Sequence, residues 1–268
     1  MKFNLKRLLA VATVASALIL TGCGDKKDDN VLKVGVMAGA EAQVAEVAAK
    51  VAKEKYGLDV KLVTFTDYVT PNAALADGSI DVNAFQHKPY LDQQIKTRGY
   101  KLAIAGNTFV YPIAGYSKKI KSIDQLKAGD SIAIPNDPTN LGRSLLLLQQ
   151  QGLIKLRDGA GVNATLQDVV SNPKDLKITP LDAAQLPRAL DDVTVAVINT
   201  TFASSINLTP QKDGIFVEDK ESPYVNLIVA RQDNVDSKKV QEFVKAYQTD
   251  TVYNAAMKIF QGGVVKGW

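Results

Sequence analysis

The chain has one cysteine and one histidine in 268 residues, and each scarcity removes a class of function. A single thiol, Cys23, cannot close an internal disulfide. A single imidazole, His87, cannot supply a multi-histidine metal site, and neither a metal nor another cofactor is expected. No G-x-S-x-G pattern or catalytic thiol accompanies that histidine, and no P-loop occurs. No basic cluster with interleaved aromatics is present, which makes nucleic acid a poor partner. Internal repeats and low-complexity stretches are lacking, and after residue 30 no apolar run is long enough to cross a bilayer. What the chain does have is bulk. At 46% hydrophobic, it can bury a substantial core.

The N-terminus carries a signal of its own. Lys2, Lys6 and Arg7 precede Leu8–Leu20, a stretch apolar except for Thr13 and Ser16, and Thr21-Gly22-Cys23 close it. A basic start, a short apolar run and small residues describe an export signal over residues 1–22. The run is shorter than the roughly 20 residues a spanning helix needs. Leu20-Thr21-Gly22-Cys23 resembles the lipobox of bacterial lipoproteins, whose cysteine is lipidated and becomes the first residue. An ordinary signal with a chance cysteine is the alternative. Gly24 to Asn30, with Asp25-Lys26-Lys27-Asp28-Asp29 inside it, is polar and charged as a flexible tether should be. The expected product is a soluble domain anchored through Cys23 to a bacterial membrane, facing the periplasm or the outer side of the inner membrane, because two or more acyl chains hold firmly. Gly24 rather than aspartate follows the cysteine, so no inner-membrane retention signal is evident. Loss of residues 1–22 removes three basic residues and no acid, and the net charge falls from +4 to +1.

The mature chain alternates strand and helix patterns. Val31–Val36 is β-branched and alternating, and Val44, Val47, Ala48 and Val51 fall at helical spacing before Gly57. Asp59–Thr64 and Ile80–Phe85 read as further strands, Asn72–Leu75 as a short helix and Pro89–Arg98 as a helix closed by Gly99. A second set follows, with a strand at Ser131–Pro135, a helix at Leu141–Gln151, and strands at Leu176–Thr179 and Val193–Ile198. Ser237–Phe260 reads as one helix. Two extended segments beside prolines, Thr108–Tyr116 and Pro223–Ala230, break the rhythm. The expectation is an α/β protein of two lobes joined by two crossing strands, with residues 31–110 and 229–268 in one lobe and 111–228 in the other. Ligands of such sheets sit at the carboxyl ends of strands, here between the lobes.

Four places could carry chemistry. His87 stands just past a strand and before a helix, as a base, a ligand contact or a packed loop histidine. Arg143 follows Pro135-Asn136-Asp137-Pro138-Thr139-Asn140-Leu141-Gly142, a strand end and helix start with Thr139 or Asn140 as N-cap. Backbone N–H groups there favour an anion and the guanidinium adds a bidentate donor; a surface ion pair with Asp137 is the alternative. Asn199 ends a strand, and Asn226 interrupts an apolar one. A buried amide needs a partner, either ligand or protein, because leaving it unpaired costs about 1–3 kcal/mol.

Phe85-Gln86-His87-Lys88-Pro89-Tyr90-Leu91, Pro135–Arg143, Ala196-Val197-Ile198-Asn199-Thr200 and Ser222-Pro223-Tyr224-Val225-Asn226 together closely resemble the NlpA family of methionine-binding lipoproteins, solute receptors for ABC importers. The likeness runs from the lipobox to Gly267-Trp268, with the turn Met37-Ala38-Gly39-Ala40-Glu41 a looser match. It implies a two-lobed periplasmic-binding-protein fold, type 2-like, with methionine in the interlobe cleft. By motif, Arg143 would clamp the ligand carboxylate, and Asn199 and Asn226 would bond its amino and carboxylate groups. Tyr68, Phe85, His87 and Tyr90 would line a thioether pocket, with His87 a wall or donor rather than a catalyst. The partners implied are methionine, the permease and ATPase subunits of an importer, and the membrane. An exported enzyme using His87, a non-transport surface lipoprotein, and a receptor for another small apolar amino acid or a methionine derivative are the rivals.

Overall fold

A computed structural model describes residues 30–219 and 222–268; Cys23 and the tether residues before Asn30 lie outside them. The chain opens with strand β1 (Val31–Met37), helix α1 (Ala40–Tyr56), β2 (Asp59–Phe65), α2 (Thr70–Ala76), β3 (Val82–His87), α3 (Lys88–Arg98) and β4 (Leu102–Val110). Gly57 and Gly99 end α1 and α3 in the left-handed conformation, which costs a glycine nothing. β5 (Ala114–Tyr116), β6 (Ser131–Pro135), α4 (Pro138–Gln150), β7 (Lys155–Leu156), β8 (Val169–Ser171) and β9 (Lys177–Leu181) follow. Then come α5 (Leu186–Ala189), β10 (Val195–Ile198), α6 (Thr200–Ser204), α7 (Pro210–Asp213) and β11 (Phe216–Val217). β12 (Val225–Arg231), α8 (Lys238–Tyr247), α9 (Asp250–Ile259) and β13 (Val265–Lys266) finish the chain.

These strands build two main sheets. The larger has the order β13-β4-β12-β3-β1-β2, and the smaller β11-β5-β10-β6-β9. Parallel pairing of β1 with β2 and β3, and of β6 with β9 and β10, is what the alternating strand–helix pattern requires. β12 runs antiparallel to both β3 and β4, β13 to β4, and β5 to β10 and β11. The chain leaves the large sheet between Val110 and Ala114 and returns between Val217 and Val225. Val225–Ile228, grouped with the second lobe from the sequence, pair with β3 and β4 of the first.

Three departures from the sequence reading have local causes. The segment Thr108–Tyr116 is not one strand, because Tyr111-Pro112-Ile113 interrupts it as the chain changes sheets. The third strand is shifted toward His87, drawn on by the pairing of His87 with Asn226. Ser237–Phe260 is two helices, broken at Gln248-Thr249, where Thr249 Oγ1 accepts from the Val252 N–H and caps α9. A helical period does not register such a break, since both halves keep an apolar face.

Separate cores lie under α1, α8 and α9 in the first lobe and within the second. A third cluster holds Met37, Phe85 and Tyr90 from the first lobe against Ala133, Ile198 and Phe202 from the second. The lobes are therefore closed on one another, along the carboxyl ends of their central strands.

Candidate functional site

Between the lobes lies a small cavity lined by residues of both, the kind of place where ligand sites occur. It gathers all seven side chains singled out in the sequence. Tyr68, Phe85, His87, Tyr90 and Asn226 come from the first lobe, and Arg143 and Asn199 from the second. Five more residues line it, Gln86, Tyr111, Asn140, Thr200 and Thr201.

The aromatic wall is built by short-range geometry. Asp67 Oδ1 accepts from the N–H groups of Val69 and Thr70, turning the chain so that Tyr68 stands between β2 and α2. The Tyr90 hydroxyl donates to the Tyr68 carbonyl at 2.7 Å. Ring centroids of Tyr68 lie 5.9 Å from Phe85 and 4.9 Å from Phe202 across the cleft, in the range of favourable aromatic pairs. Phe85 sits at a bulge. Pairing steps from Leu227 opposite Gln86 to Ile228 opposite Ala84, which leaves the Phe85 carbonyl to accept from Asn226 Nδ2 at 3.0 Å. Gln86 is braced by buried Asn72 and Asn83, each bonded to it through side-chain amides.

His87 is the N-cap of α3. Its Nδ1 accepts from the Tyr90 N–H at 3.2 Å, so the proton is on Nε2, which donates to Asn140 Oδ1 at 3.2 Å. Burial, together with the Arg143 guanidinium, pushes the imidazole down to about 3. It is neutral at physiological pH, with both nitrogens used.

Arg143 is 3% exposed, and a guanidinium so deep must be paired. Its partner is not Asp137 but Glu218, on the return passage between sheets. Nε and Nη2 donate to the two Glu218 carboxylate oxygens, Nε at 2.8 Å, and Nη2 also to the Tyr111 carbonyl on the outward passage. The Tyr224 ring covers the guanidinium at 4.4 Å. Nη1 donates to no group among the described residues. The N-cap of α4 is Asp137 rather than Thr139 or Asn140: its carboxylate accepts from the Asn140 N–H at 3.0 Å. The helix thus starts earlier than expected, places Arg143 in its second turn, and supplies an anion for its own N-terminus.

Asn140 joins the two lobes. Its Oδ1 accepts from both His87 Nε2 and Asn199 Nδ2, the latter at 2.9 Å, while its Nδ2 donates to Asp137. Asn199 Oδ1 is buried and has no partner among the described residues. Native interiors seldom leave such an acceptor unmet, and at a cavity wall it is ready for a ligand's donor. Chemically, then, the cavity offers a spare guanidinium amino group, an unmet amide oxygen, the amide of Asn226 and an aromatic wall. Among the described residues no cluster of His, Cys, Asp and Glu could hold a metal ion.

Glu218, Asn140, Tyr111 and the two threonines escaped sequence reasoning. Asn140 had a signal, three residues beyond Asp137 in a capping turn, which fits a cap partner as well as a site residue. Glu218 had none, for nothing local distinguishes it from other surface acids.

The sequence model of the NlpA lipoprotein family matches residues 32–268. A probable D-methionine-binding lipoprotein MetQ of Vibrio cholerae is 74% identical over 269 residues, covering 100% of each chain. A nutrient-binding protein from Burkholderia cenocepacia, solved bound to methionine, superposes with a TM-score of 0.87 at 53% identity, over 88% of this chain and 100% of that one. A periplasmic substrate-binding protein of an ABC transporter from Coxiella burnetii superposes at 0.86 with 49% identity, over 88% and 100%.

Proposed function

The chain belongs to the NlpA lipoprotein family, and from that premise we propose that it is a lipid-anchored receptor that captures methionine and delivers it to an ABC importer. The two-lobed solute-binding fold is that of the methionine-bound relative. The observation that carries the ligand assignment is the pairing of unmet groups in one aromatic-walled cavity. Arg143 Nη1 would take the carboxylate, Asn199 Oδ1 the ammonium, and Asn226 would complete the polar end. Tyr68, Phe85 and Tyr90 would receive the thioether, since a soft sulfur packs well on aromatic rings. A zwitterion is the ligand such a site neutralises without leaving a buried charge alone.

His87 does not support an enzymatic reading. A neutral imidazole that caps a helix through one nitrogen and donates to Asn140 through the other has no lone pair left for a substrate proton. Energy for transport would come from ATPase subunits engaged through the permease. The decisive test is a calorimetric titration of ligand-stripped protein with L- and D-methionine. One saturable site for at least one enantiomer is expected, and heats of dilution alone for both would end the assignment.

Cys23 lies outside the described residues, and its lipidation remains part of the proposal. No helix among the described residues is long and apolar enough to cross a membrane, so attachment would depend on the acylated cysteine. Cys23→Ala is expected to move the protein from the membrane fraction to soluble or unprocessed forms without changing its thermal unfolding. Unchanged detergent extraction of the variant would refute the anchor.

A further inference from the structure

Glu41 is the most deeply buried carboxyl among the described residues, 3% exposed. It stands in the first turn of α1 in the first lobe. Its Oε1 accepts the hydroxyl of Thr201, in α6 of the second lobe, at 2.5 Å. Thr201 lines the ligand cavity two residues beyond Asn199. Glu41 thus reaches the cavity through one of its lining side chains.

Its surroundings contain no countercharge among the described residues. The titratable groups that feel it are the phenols of Tyr68, Tyr111 and Tyr247, all held neutral by burial. The elements β1, β2, α6, α8 and α9 pack on α1, and no charged side chain of theirs shifts it. The N-terminus of α1 favours an anion, but that fixed partial charge is outweighed by complete burial, which pushes the carboxyl up to about 8. A carboxyl kept in such a place for packing alone is disfavoured, since an apolar side chain would fill it at no cost in desolvation.

We propose that Glu41 is a positioning residue for ligand capture: it latches the lobes together through Thr201 and so holds Thr201 in the cavity wall. The inference rests on the methionine-receptor reading above. Opening the cleft parts Glu41 from Thr201 and returns the carboxyl to water, where it ionises near its ordinary value of 4.5. Closing around ligand then takes up a proton. The raised acid favours closure fully below about 4.5, and the advantage is lost as pH rises to about 8, by at most tenfold per pH unit. His87 works in the opposite sense and only at lower pH, because its closed-state value is depressed from 6.5.

Calorimetric titration of methionine into wild type and Glu41→Gln, from about pH 6.5 to about pH 8.5, isolates the carboxyl. The amide keeps the acceptor for Thr201 but cannot ionise, and the ligand's own amino group titrates equally in both. Wild-type affinity is expected to fall with pH relative to the variant, by up to tenfold per unit, and the proton uptake on binding to shrink as pH passes about 8. Thr201→Val should weaken binding about tenfold at the low end of that range, as loss of one buried hydrogen bond does. Parallel pH profiles for wild type and Glu41→Gln would overturn the proposal. If neither protein binds methionine at any pH, the ligand reading fails instead. The latch is then judged on ligand-free thermal unfolding, where a Tm advantage of the variant that grows with pH supports it and a constant difference overturns it.

Discussion

Arg143→Ala is expected to weaken methionine binding by about 2–5 kcal/mol, the usual cost of truncating one partner of a buried charge pair. That is about 30-fold at the least. The same substitution removes the guanidinium bonded to Glu218, whose side chain is 11% exposed. An unpaired carboxylate at that depth costs about 3–5 kcal/mol, so thermal unfolding should drop as well. Arg143→Lys restores neither in full. One ammonium cannot span both Glu218 oxygens, reach the Tyr111 carbonyl and still offer a donor to ligand, which the planar guanidinium does. Titration and unfolding are read together: a variant that unfolds early yet binds like wild type would keep Arg143 as a brace between the sheets and remove it from the ligand.

The second large effect concerns selectivity. Competition on ligand-stripped protein should rank methionine above norleucine and norleucine far above glutamate. Replacing sulfur by methylene in an apolar pocket costs about 1–3 kcal/mol. Glutamate would bring a second carboxylate against Tyr68, Phe85 and Tyr90, where no cation among the described residues waits for it; an ionised group buried alone costs many times more. Glutamate competing as well as norleucine would show that the side-chain end of the cavity is polar, and the methionine assignment would fall with it.

Much of this site was legible in the chain before any coordinates. The run from Phe85 to Leu91 announces a strand end, a turn and a helix start. A histidine there reads as a base, a ligand contact or a packed loop residue, and the structure makes His87 the cap of α3. The amides at Asn199 and Asn226 stand out because each ends or interrupts an apolar strand. Arg143 stood out because it follows a turn whose backbone N–H groups favour an anion, and the structure pairs it with Glu218 and the Tyr111 carbonyl. Less was legible about which group would answer each of these. Asn140 reads as a cap until it is seen to bridge His87 and Asn199, and Glu41 reads as an ordinary first-turn acid.

Composition and local pattern determined the α/β alternation and the residue types a zwitterion with a soft side chain requires. These follow from interactions a few residues long, whose periods and turn chemistry survive in a linear string. Tertiary structure alone decided that Glu218 answers Arg143 across 75 positions and that Thr201 answers Glu41 across 160. That helix α4 begins at Asp137 and that the final helix is two follow from local caps at Asp137 and Thr249, which an apolar period does not mark. Which buried group meets which depends on how two sheets close over one cavity, and closure is set by the whole of both cores rather than by any segment of the chain.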